Sequence, residues 1–80
     1  MYLHKVTESE VKDVLERPGE DRPGYEGTRI AIGQTRAGRY IRVIYVLEPQ
    51  QDDMFVITAY ELRGKPLIAY KRRRREKGVK

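Results

Sequence analysis

The sequence predicts an α+β domain, a three-stranded antiparallel sheet flanked by an N-terminal and a C-terminal helix. Three observations predict it. A helical apolar pattern follows a capping signature near the start, two alternating apolar runs are joined by a four-residue Gly-containing turn, and a third apolar run leads through Gly-Lys-Pro into a basic helix.

The first helix starts at Val6-Thr7-Glu8-Ser9-Glu10-Val11. Thr7 is placed to cap, Glu10 to reach back as the second half of a capping box, and Val6 and Val11 to form a hydrophobic staple. Val11, Val14 and Leu15 give one apolar stripe before Arg17-Pro18-Gly19 stops the helix. Pro18 to Gly27 is rich in Gly, Pro and charge and reads as a loop.

Thr28–Gln34 alternates around Ile30 and Ile32, and Thr35-Arg36-Ala37-Gly38 is a hairpin turn in which Gly38 can take positive φ. In the strand Arg39–Glu48, Ile41, Val43, Tyr45 and Leu47 form an apolar face. The opposite face carries Tyr40, Arg42, Ile44 and Val46. Pro49–Asp53 reads as a polar connection and Met54–Leu62 as the third strand. Apolar residues on both faces place these two strands centrally or under cover on both sides. That leaves Thr28–Gln34 as an exposed edge, a candidate surface for a partner. Pro66 suits a helix's first position, and Leu67–Lys77 continues it, with Leu67, Ile68 and Tyr70 available to bury.

Eighty residues make one domain, which buries only about 60 per cent of its unfolded surface. Without cysteine, neither disulfides nor a thiolate metal site supports it. The longest apolar run, Val43–Leu47, is strand-sized, so neither a signal peptide nor a membrane span is expected, and a cytoplasmic protein is the default. Net charge is unevenly spread. Residues 1–62 hold eight Lys/Arg against eleven acids, a net −3, while residues 63–80 hold nine against Glu76 alone, a net +8. A mildly acidic body with a basic end fits contact with nucleic acid or an acidic protein, or else a solvated tail.

Several chemistries are poorly served. There is one histidine, His4, and no carboxylate pair at metal-ligand spacing. Ser9, the only serine, belongs to the helix cap, Asp52-Asp53 reads as a solubilising turn, and no Gly-rich phosphate loop occurs. No cofactor is expected. The remaining Arg, Lys, Tyr, Glu and His suit RNA, whose cleavage by a neighbouring 2′-hydroxyl needs proton donors, proton acceptors and cations but no metal. Arg42 and Tyr40 on one face, with Tyr60 on the neighbouring strand, could form such a patch. Each also reads as an ordinary strand residue, and His4 as a surface histidine. Arg72–Arg75 wrap around their helix, so about half can face any one groove.

The stretches "LHKVTESEVKDVL", "GTRIAIGQTRAGRYIRVIYV" and "MFVITAYELRGKPLIAYKRRRR" resemble the BrnT toxins and BrnT-like domains of the RelE/ParE superfamily. There, a KHGV-type stretch opens a helix, a hairpin carrying a Gly-Arg pair follows, and a third strand leads into an Arg-rich helix. The resemblance spans roughly residues 3–76. It implies a RelE-like fold, an endoribonuclease toxin that blocks translation, and a cognate DNA-binding antitoxin as partner. His4 matches the opening histidine, Arg39 and Tyr40 the hairpin positions, Thr58-Ala59 the third strand, and Arg72–Arg74 the basic helix. Tyr60 stands where the family has arginine, Pro66 where it has polar residues, and the family's leading strand has no counterpart before Met1.

Two classes of function follow. A ribonuclease toxin would use His4, Tyr60 or Glu61 for proton transfer and Arg42, Arg63 and Lys65 on phosphate, with Arg39, Tyr40, Lys71 and Arg72, Arg73, Arg74 and Arg75 binding RNA. A non-catalytic module would bind nucleic acid or an acidic protein through the basic helix, with the sheet as scaffold. A small orphan domain with a solubilising basic end is the third reading.

Overall fold

The structure is a computed structural model describing residues 2–48 and 53–78. The chain runs β1 (Tyr2–His4), α1 (Glu8–Glu16), β2 (Glu20–Pro23), a short 3₁₀ turn at Tyr25–Gly27, β3 (Arg29–Gln34), β4 (Tyr40–Glu48), β5 (Asp53–Glu61) and α2 (Gly64–Gly78). The described strands form one five-stranded mixed sheet in the order β1-β5-β4-β3-β2, in which only the β1–β5 pair is parallel.

The expected three-stranded antiparallel sheet is therefore incomplete at both edges. Residues 2–4, which precede the first helix, pair with β5 as a parallel strand, and Glu20–Pro23, read as loop, pairs antiparallel with β3. Thr28–Gln34 is consequently no edge, since β3 lies between β2 and β4. Of the connection expected over Pro49–Asp53, residues 49–52 lie outside the described residues, as does Asp52 of the paired aspartates, and Asp53 begins β5.

α1 forms as its sequence dictates. Thr7 Oγ1 accepts from the Glu10 amide at 3.2 Å, and Glu10 Oε1 accepts from the Thr7 amide at 3.0 Å. This satisfies two of the amides that a helix start leaves open. The helix links edge strand β1 to the opposite edge strand β2, and it packs Val11 and Val14 against β3 and β4. Ala31, Ile41, Val43, Tyr45 and Ala59 face it, with Val6 beside them.

The hairpin β3–β4 turns where expected. Thr35 N donates to Arg39 O at 2.7 Å, Gly38 N donates to Thr35 O at 2.9 Å, and Gly38 adopts φ of 91°, which glycine tolerates without steric cost. Between β4 and β5 the register shifts by one residue: Ile44 pairs with Thr58 and Tyr45 with Val56. Ile57 is thus the extra residue of a bulge, and it reverses the facing of β5 so that Val56 packs with Tyr45 under α1. Leu47, expected in the core, is 52% exposed, because α1 does not extend over the far end of the hairpin.

The opposite sheet face is covered only in part. Tyr70 and Leu67 of α2 pack on Ile30, Ile32, Tyr40 and Leu62, whereas Ile68, expected to bury, is 59% exposed. The sheet face beyond α2 carries His4, Tyr60, Arg42 and Thr58, and it is there that the candidate residues meet.

Candidate functional site

Strand alternation decides which candidate residues share a face. His4 on β1 is the register partner of Tyr60 on β5, and Tyr60 is the partner of Arg42 on β4. The three side chains form a row across adjacent strands, all on the face turned away from α1. The His4 and Tyr60 rings meet edge to face with centroids 6.3 Å apart, and the Arg42 guanidinium lies 5.9 Å from the Tyr60 centroid.

Arg42 is the unusual member. It is half-buried, its Nε is buried without a hydrogen-bond partner, and it makes no ion pair among the described residues. Buried polar atoms are almost always hydrogen-bonded, so an orphaned guanidinium nitrogen is a costly feature to retain. The resemblance expects an arginine at position 60. In the fold, Arg42 brings a cation from the neighbouring strand to the ring of Tyr60.

Glu61 and Arg39 belong to the other face. Arg39 Nη1 donates to both Glu10 carboxylate oxygens at 2.8 and 2.9 Å, and Nη2 donates to Lys5 O at 3.0 Å and Glu61 Oε1 at 3.4 Å. Arg63 donates to the same Glu61 oxygen at 2.7 Å. Hydrogen bonds from Arg63 and then Arg39 hold the Glu61 carboxyl below its ordinary range, which makes it a poor proton acceptor. Lys5 takes φ of 56°, and its carbonyl is anchored by Arg39. At the β1 edge, His4, Tyr60, Glu61 and Arg63 border one shallow depression of about 180 Å³, so the two faces meet there.

The arginine run divides. Arg73 makes two hydrogen bonds to Glu20, at 2.6 and 3.0 Å, and Arg74 Nη1 donates to Gly19 O at 2.7 Å. These two dock α2 onto the start of β2. Arg72 and Arg75 are exposed, with no partner among the described residues, and Lys65 is exposed in the first turn of α2. Lys71 Nζ sits 5.0 Å over the ring of Tyr40, which in turn meets Tyr70 edge to face at 6.0 Å.

A second concavity has no local signal in the sequence. Arg17, Gln34, Tyr40, Tyr70, Lys71 and Arg74 line a pocket of about 300 Å³ between the end of α1 and α2, with Gly19 at its wall. Arg17 and Gly19 had signalled only a helix stop. Nothing local to them indicates that α2, some fifty residues later, folds back beside them.

No family model, curated protein or solved structure matches the chain. No helix among the described residues is long and apolar enough to cross a membrane.

Proposed function

We propose that the chain binds RNA across the open sheet face and cleaves it without a metal, as a toxin-like endoribonuclease of the BrnT/RelE kind whose physiological partner is a cognate antitoxin. The observation that carries this reading is the His4–Tyr60–Arg42 row, which sets an imidazole, a phenol and a guanidinium without a carboxylate partner side by side on one face. In the reaction, the 2′-hydroxyl attacks the adjacent phosphorus, a 2′,3′-cyclic phosphate forms and the 5′-oxygen leaves. His4 accepts the hydroxyl proton and the Tyr60 hydroxyl supplies one to the leaving oxygen. Arg42 faces the charge that gathers on the phosphorane, and the Tyr60 ring offers a surface on which an unpaired base can stack. Glu61, paired with two arginines, has no part in proton transfer in this scheme.

The alternative, a non-catalytic module gripping a polyanion through α2, is supported by the exposed Arg72 and Arg75. It is weakened because Arg73 and Arg74 already bond to the body of the domain.

The test is purified protein with single-stranded RNA in a chelator, followed by mapping of product ends. Cleavage leaving 2′,3′-cyclic phosphate ends, reduced about 10²-fold or more by His4→Ala and by Arg42→Met, is the expected result. Absence of such ends, or cleavage indifferent to both substitutions, would refute it. Binding without cleavage that disappears in an Arg72→Gln, Arg75→Gln variant would favour the module.

A further inference from the structure

The pocket between the end of α1 and α2 is lined by positive charge, from Arg17, Lys71 and Arg74, with no carboxylate among its lining residues. Of the acids around it, Asp13 and Glu16 line a neighbouring depression that Arg17 shares, where Asp13 pairs with Arg36 at 3.7 Å and Glu16 with Lys12 at 3.9 Å, and Glu20, next to Gly19, is bonded to Arg73 at 2.6 Å. Arg17 has no ion pair among the described residues.

The second observation is Tyr70. Only 4% of the residue is exposed, it lines the pocket, and its hydroxyl has no hydrogen-bond partner among the described residues. Burial raises the phenol above its ordinary range, so it stays a donor at neutral pH. The hydroxyl lies so close to Gly19 that a Cβ there would overlap it. The backbone at this point leaves room for the phenol, and a glycine is what the approach requires. Tyr40, whose ring meets that of Tyr70, forms the side of the pocket toward the sheet. The volume, about 300 Å³, is at the lower end of small-ligand sites and suits one phosphate with its nucleoside.

We propose that this pocket is a phosphate-monoester site, in which Arg17, Arg74 and Lys71 meet the charge and the Tyr70 hydroxyl donates a hydrogen bond to a phosphoryl oxygen. A phosphate monoester carries about 1.5 to 2 negative charges at neutral pH, more than the single charge of a backbone diester, so the three cations select the terminal group over internal ones. Tyr40 and Arg42 are two residues apart on the same face of β4, about 7 Å along the strand. An RNA strand lying on the row therefore has its end within reach of the pocket, an extension that rests on the RNA reading. A free nucleotide presents the same chemistry without that reading.

The experiment is amide NMR titration of the full chain with AMP, adenosine and inorganic phosphate, beside binding of one oligoribonucleotide carrying either a 5′-phosphate or a 5′-hydroxyl. Saturating shifts with AMP and phosphate, confined to Gly19, Gln34, Tyr40 and Tyr70 and absent with adenosine, are expected. Tyr70→Phe should weaken AMP binding about tenfold, because the lost hydroxyl has no structural partner, and Arg17→Ala should do the same. The 5′-phosphorylated oligomer should bind at least tenfold more tightly than its 5′-hydroxyl form. AMP binding with no discrimination between the oligomers would support the site with a free nucleotide as ligand and would count against RNA on the sheet. Shifts that follow ionic strength alone, spread over Arg72 and Arg75, or equal responses to AMP and adenosine, would overturn the proposal.

Discussion

Replacing Arg42 by methionine should stabilise the fold while it removes the proposed RNA-cleaving function. The guanidinium Nε is buried without a hydrogen bond, an arrangement that costs about 1–3 kcal/mol. The compensating contact is the approach to the Tyr60 ring at 5.9 Å, near the limit of a useful cation–π distance and contributing about 0.5–1 kcal/mol. Methionine retains an unbranched apolar stem between Ile32 on β3 and Tyr60 on β5, the register neighbours of position 42. The difference favours the variant by about 1 kcal/mol, which in a domain of this size raises Tm by about 4–8 °C. Urea unfolding should show a higher midpoint with an unchanged slope. Arg42→Ala serves as the control, since it removes the stem and should not gain. A methionine variant less stable than wild type would show that the guanidinium is held by favourable interactions. Arg42 would then be a structural residue, and the row would lose its argument for a ligand.

Three further outcomes follow from particular contacts. Gly19→Ala places a Cβ on the Tyr70 hydroxyl and 3.2 Å from its Cζ, so it should destabilise by about 1–3 kcal/mol; Tyr70→Phe should recover part of this in a double-mutant cycle on urea midpoints. Because Arg63 and Arg39 lower the Glu61 pKa, that carboxylate contributes stability above its ordinary value of 4.5 and loses it as pH falls through the depressed folded value; the stability gap between wild type and Glu61→Gln should therefore close on acidification, as pH-dependent denaturation would show. Burial, with a hydrogen bond to Asp21 at 2.7 Å, raises the Tyr45 pKa, so wild-type stability should decline as pH rises past about 10, and Tyr45→Phe should decline less while losing about 1 kcal/mol at neutral pH.

The parts of the fold that were legible in the sequence are those encoded within a few residues. The capping box joins positions three apart, and the β3–β4 turn is closed by bonds within Thr35–Arg39, so residue types alone specify both. The edge strands carry no such signal. β1 is three residues long and becomes a strand only because β5, more than fifty residues later, offers a free edge. β2 reads Glu-Asp-Arg-Pro, a charged sequence with poor strand propensity, and its backbone pairing with β3 overrides that preference. The site divides in the same way. Arg42 facing Tyr60 follows from alternation on two legible strands. His4 joining them depends on β1, whereas Glu61 leaves them by the same alternation, and only its bonds to Arg39 and Arg63 were not legible. The pocket around Tyr70 was beyond reach, because it needs α2 returned to β2 by contacts 53 and 55 residues apart.

Those contacts also decide what the arginine run does. Lys12, Arg22, Arg29, Arg36, Arg39, Arg63 and Arg73 each lie within ion-pair distance of a carboxylate, and Arg74 holds a backbone carbonyl. A cation paired within the protein presents little net field to a ligand, since its partner's opposite charge lies about 3–4 Å away. The attraction for a polyanion therefore comes from the cations left over. Among the described arginines these are Arg17 at the end of α1, Arg42 on the open face, Arg72 and Arg75 on the exposed side of α2, and Arg74, whose carbonyl partner carries no net charge. The +8 of the last eighteen residues overstates what the helix presents, because part of that charge neutralises Glu20 and secures α2 against the sheet. Neutralising Arg72 and Arg75 should consequently weaken the proposed RNA binding and flatten its salt dependence without loosening the fold. Neutralising Arg73 should release α2 before it changes the charge a ligand meets, which amide exchange in α2 would detect as lost protection.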